Sequence, residues 1–134
     1  MTKVTQVTPG IGRTVDLPFA SAIEKAIEAL KKEGFGVLTR IDVKATMKEK
    51  LGVEGPSFVI LGACNPPLAH KALGLDPEVG LMLPCNVVVR EVEGGKVRVE
   101  AINALAMMSL FPNAGLVPIA GEVSERLGRV IKAI

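Results

Sequence analysis

The sequence predicts an α+β domain, and three observations carry that prediction. Phe19, Ile23, Ile27 and Leu30 recur at helical spacing near the start. Ile119, Val123, Leu127, Val130, Ile131 and Ile134 make a second helical stripe at the end. Between them, Glu93-Gly94-Gly95 joins two Val-rich runs, and Gly-Gly between such runs signals a hairpin. A length of 134 residues predicts one domain spanning 1–134.

Thr2 to Asp16 alternates poorly, yet Ile11 to Val15 suits an edge strand. Leu17-Pro18 opens a long N-terminal helix, because proline tolerates a first turn. Glu24, Lys25, Glu28, Lys31 and Lys32 lie mostly opposite its apolar stripe, and Gly34 ends it. Phe35 to Asp42 follows as a strand, with Phe35, Val37, Thr39 and Ile41 on one side and Leu38 and Arg40 on the other. Asp42 caps a short helix over Val43 to Leu51, and Gly52 stops it.

Phe58 to Ala63 is apolar on both faces, which predicts a central, covered strand. Asn65 then caps a helix with Pro66 and Pro67 in its first turn, running through His70 to Leu73 and ended by Gly74. Leu75 to Pro84 reads as loop. Asn86 to Val92 and Lys96 to Ile102 form the hairpin strands, and Val97-Arg98-Val99-Glu100 leaves the second with one wet face. Ala104 to Phe111 reads as a short helix or buried loop, closed by Pro112-Asn113. Pro118 stands near the start of the long C-terminal helix.

Composition excludes several function classes. Hydrophobic residues are 49% and charged residues 22%, the balance of an ordinary globular chain. Four Phe are the only aromatics, so the core is aliphatic. Sixteen basic and fourteen acidic residues give a net charge of +2, too balanced to argue for nucleic acid or an anionic membrane. The start carries no signal-peptide pattern. Ala101 to Ala120 is interrupted by Asn103, Ser109, Pro112, Asn113, Gly115 and Pro118, which rules it out as a membrane span. The expected setting is cytoplasmic, where two cysteines stay reduced. Scarce Gln and Asn hint at a thermophilic source.

Three stretches together carry a resemblance: Gly34-Phe35-Gly36-Val37-Leu38-Thr39-Arg40-Ile41-Asp42 with the helix that follows, Gly62-Ala63-Cys64-Asn65-Pro66, and Leu83-Pro84-Cys85-Asn86-Val87-Val88-Val89. Over roughly residues 10 to 134 the chain resembles the domain-of-unknown-function family 302. The resemblance implies a fold like that of the TATA-binding protein, with a curved, largely antiparallel sheet of about four to six strands backed by helices. It implies no activity and no cofactor. Fold kinship with a DNA-binding protein does not argue for DNA binding, and the chain lacks the basic surface and aromatic wedges of minor-groove binders.

The candidate chemistry lies in two Cys-Asn pairs. Cys64-Asn65 ends one apolar strand, and Cys85-Asn86 begins another. If those strands pair antiparallel, the thiols come within reach of each other. If they run parallel, about seven residues at roughly 3.3 Å each separate them by about 20 Å. Periodicity leaves both open, and the resemblance favours antiparallel neighbours. Cys64 also precedes a helix start, whose free N–H groups favour a thiolate. His70 reaches Cys64 only if its helix folds back over the strand end.

Cys64, Asn65, Cys85, Asn86 and His70 are therefore the candidate ligand-binding residues, and Cys64, Cys85 and His70 the candidate soft-metal ligands. Against this stands the plainer reading of both cysteines as small buried hydrophobes, or as a structural disulfide, with the asparagines as caps. Asp42, Lys44 and Thr46 read as a cap and ion pair before an anion site. Met107, Met108, Leu110 and Phe111 form an apolar cluster that is either core or an association patch, and they are the candidate interface of a homodimer. The favoured expectation is a non-enzymatic small-ligand or soft-metal binding module. A thiol enzyme or redox protein with Cys64 as nucleophile and Cys85 resolving is the first alternative, and a structural interaction domain the second.

Overall fold

The computed structural model describes residues 8–134. Most of the poorly alternating start, residues 2–7, lies outside them. Five strands form one antiparallel sheet in the order β1-β5-β4-β3-β2, which is the expected α+β architecture. β1 is Gly10–Val15, β2 Gly36–Asp42, β3 Phe58–Cys64, β4 Cys85–Glu91 and β5 Val97–Ile102. The helices are α1 (Phe19–Lys32), α2 (Val43–Leu51), α3 (Pro66–Leu75), α4 (Ala104–Met108) and α5 (Leu116–Lys132). No helix among the described residues is long and apolar enough to cross a membrane.

The core sits on one face of the sheet. Val59, Leu61, Val87, Val89, Val97 and Val99 point into it at alternate positions and are buried. They pack with Ala22, Ile23, Ala26 and Leu30 of α1 and with Leu127, Val130 and Ile131 of α5. Small alanines on α1 let that helix lie close to the β-branched surface. On the opposite face Glu100 bridges Arg90 at 3.5 Å and Arg98 at 3.4 Å, the wet side expected for β5.

Local punctuation behaves as its chemistry dictates. Asp42 accepts a bond from the Ala45 N–H at 2.9 Å and caps α2. The Thr46 hydroxyl donates to the Asp42 carbonyl at 2.7 Å, so these two residues of the polar cluster serve the helix start. Gly94 and Gly95 turn the β4–β5 hairpin at φ 77° and 72°, a region that side chains other than glycine rarely adopt.

Four local expectations are corrected. The strict alternation expected along β2 breaks, because Val37 faces Ala63 and Thr39 faces Gly62, leaving Leu38 as an extra residue. Val37 and Thr39 thus lie on opposite faces, since a bulge shifts the pleat by one. β3 is an interior strand but only one face is fully covered, with Phe58 and Ile60 half-buried. Gly74 does not end α3, which continues to Leu75 and is capped by Asp76. The expected loop after it holds a 3-10 turn over Pro77–Met82.

Candidate functional site

β3 and β4 run antiparallel with Ala63 opposite Cys85. The end of one strand therefore meets the start of the other, and Cys64 and Cys85 line the same pocket. Both are free thiols and half-buried. The pocket is apolar and partly open, and its cavity measures about 60 Å³. α3 closes one side through Leu68 and Ala72, and α5 another through Leu116 and Ile119. Met82, Met107 and Met108 add three thioethers to the lining.

Burial pushes the Cys85 thiol up to about 11, and the neighbouring Cys64 adds to the shift. A thiol removed from water resists ionisation because its charged form loses hydration. Cys85 is thus a neutral thiol at physiological pH and a poor nucleophile.

Asn65 is buried and positions the pocket wall. Its Oδ1 accepts from the Leu68 N–H at 3.2 Å, and its Nδ2 donates to the Glu33 carbonyl at 3.4 Å. The same carbonyl accepts from Arg126 Nη1 at 2.8 Å. Glu33 Oε1 in turn accepts from Arg129 Nη2 at 2.9 Å. Gly34 follows at φ 84°, and a Cβ there would stand 3.0 Å from Asn65 Nδ2. A small knot of polar contacts therefore ties the α1–β2 turn to α3 and α5. Nothing local in the sequence marks Glu33 and Arg126 as its members, because the contacts span 93 residues of chain.

The structure does not bring the other predicted residues to this point. His70 is exposed on α3 and outside the pocket lining. Asn86 is exposed on β4, opposite Gly62. Among the described residues no group of three or more His, Cys, Asp or Glu side chains gathers as a metal site. The apolar cluster 107–111 divides: Met107 lines the pocket, Met108 and Phe111 pack on Ala72, Val79 and Leu116, and Leu110 is exposed. Sequence reasoning missed Met82, and it left Met107 and Met108 between core and association patch without linking them to the thiols' pocket.

A family model described as "Domain of unknown function DUF302" matches residues 11–134. The chain belongs to the DUF302 family. A solved relative is the crystal structure of an uncharacterized conserved protein, DUF302, from Bacillus stearothermophilus. It is 30% identical, with a TM-score of 0.88, and the match covers 95% of this chain and 98% of that one. No curated protein matches the chain. The pocket lies inside the matched region.

Proposed function

We propose that this DUF302 protein is a non-catalytic binding module that holds a compact ligand, apolar or soft, in the pocket between the β3 and β4 ends. One observation carries the reading: both cysteines of the chain line a single apolar cavity beside three of its methionines. Pockets with few, convergent polarizable groups are the default place for a ligand. The neutral Cys85 thiol and the place of His70 outside the lining speak for binding over thiol catalysis, which needs an activated nucleophile and a base.

A redox reading draws support from one feature, the placement of Cys85 across from the residue preceding Cys64. It would require the two thiols to pair reversibly. The reading also includes a cytoplasmic setting, where thiols stay reduced, and association of two copies. Leu110 with Leu105, and separately Leu38, Ile41, Met47, Leu51 and Val53, are exposed apolar side chains that pairing would cover. Native mass spectrometry checks the pairing.

The pocket reading is tested with crystals pressurised with xenon, a compact polarizable probe. Xenon scattering between Cys64, Cys85 and the methionines is expected. A cavity that stays empty while xenon is found elsewhere overturns it.

A further inference from the structure

We propose that the pocket takes a monovalent soft metal ion, Cu(I), with the sulfurs of Cys64 and Cys85 as anchoring ligands and methionine thioethers completing the shell. The inference rests on the reading of this pocket as the ligand site and names what enters it. Size decides first. A cavity of about 60 Å³ falls short of the roughly 150 Å³ that holds a benzene. The enclosed part suits an ion, while the mouth stays open to solvent.

Donor chemistry decides next. The lining offers thiols from Cys64 and Cys85 and thioethers from Met82, Met107 and Met108, with no carboxylate and no imidazole; its one amide, Asn65, spends its oxygen on the Leu68 N–H. Hard cations require oxygen ligands, and structural zinc requires four thiolate, imidazole or carboxylate ligands. The described residues gather no such group. Thiolate and thioether together select Cu(I), which accepts low coordination numbers. The apolar walls formed by Leu68, Leu116 and Ile119 favour Cu(I) over Cu(II), which prefers nitrogen and oxygen in tetragonal geometry.

The binding step balances without electron transfer. Two S–H bonds break, two S–Cu bonds form, and two protons leave to solvent while copper stays monovalent. The resulting bis-thiolate carries one net negative charge. Cys64 immediately precedes Asn65, the N-cap of the ten-residue α3, and the positive end of that helix favours the charge.

Anaerobic titration of the reduced, full-length protein with Cu(I) against a chromogenic Cu(I) chelator tests the proposal. One copper per chain withheld from the chelator is expected. Cys64→Ser with Cys85→Ser should lose that retention, and Met107→Leu with Met108→Leu should weaken it at least on the order of tenfold. X-ray absorption on the copper-loaded wild type needs no variant: a sulfur-only shell is expected, and nitrogen or oxygen in the shell overturns the proposal. So does a wild type that withholds no more copper than the double serine variant. If copper fails while xenon still enters the cavity, the metal assignment falls and the pocket reading survives. If neither binds, both fall.

Discussion

Ala63 and Cys85 face each other across the β3–β4 ladder. That one register contact puts the chain's two thiols at a shared opening. An antiparallel pair delivers a strand's last residue to its neighbour's first, so 20 residues of intervening chain separate Cys64 from Cys85 without separating them in space. Several consequences can be measured.

The pH response of thiol labelling follows from burial. Cys85, held up to about 11, should label with iodoacetamide far more slowly than a free cysteine at neutral pH. Its rate should climb about tenfold per pH unit, as the thiolate fraction does. Its ordinary value is 9.0, so stability does not respond to Cys85 below about 9 and falls as pH rises from about 9 through about 11. Mass spectrometry of labelled native protein, read against urea-unfolded protein, checks this. Equal rates in both would contradict it.

Asn65 is a cap and a tie together. Asn65→Ala should cost about 1–2 kcal/mol, the usual loss for a buried N-cap, measured by urea denaturation. Asn65→Asp keeps the bond to the Leu68 N–H but loses the donor to the Glu33 carbonyl. It should therefore fall between alanine and wild type. An aspartate variant as stable as wild type would show that the tie contributes nothing.

The Glu33–Arg129 pair sets an acid-side dependence. The Arg129 guanidinium holds the Glu33 carboxyl below its ordinary 4.5. A carboxyl lowered by folding stabilises above its unfolded value, and this is lost as pH falls through the folded one. Arg129→Gln should flatten the loss of stability between neutral pH and the acid range. Arg129 is exposed and Glu33 only half-buried, so solvent screens the pair, and the effect is small and shrinks in salt. An unchanged acid slope would contradict the assignment.

Core and surface should separate cleanly. Leu61 and Leu127 are fully buried, and truncating either to alanine should cost about 2–5 kcal/mol. Leu81, 81% exposed, should tolerate alanine within about 0.5 kcal/mol. Gly62→Ala should also destabilise, by about 1–3 kcal/mol, because its Cβ would collide with Thr39 Oγ1 and Pro84. Thr39→Gly should recover part of that loss.

Where the chain writes its structure in short-range chemistry, the sequence is readable. Asp42 and Gly52 bracket α2 because a cap and a stop are local, and Glu93-Gly94-Gly95 names its hairpin for the same reason. The stripes of α1 and α5 are legible because burial enforces the helical period. The Leu38 bulge is not, since an inserted residue leaves the β pattern superficially intact. Met107 and Met108 read as core or as an association patch, because an apolar run of this length does not show what covers it. Their cover comes from α5, which folds back over them, and from the 3-10 turn Pro77–Met82, which is distant along the chain. The thiol site was half legible: the residue types and strand ends pointed to Cys64 and Cys85, but His70 was drawn in by sequence nearness alone. α3 leaves it exposed while Leu68 and Ala72 take the buried positions.

Methionine methyl NMR on the reduced protein puts the copper assignment to its most direct trial, because Met47 on α2 is exposed and outside the lining and serves as an internal control. Adding one equivalent of Cu(I) without oxygen should move the methyl signals of Met82, Met107 and Met108 together and leave Met47 in place. Signals that all stay put, or a shift confined to Met47, would contradict the account.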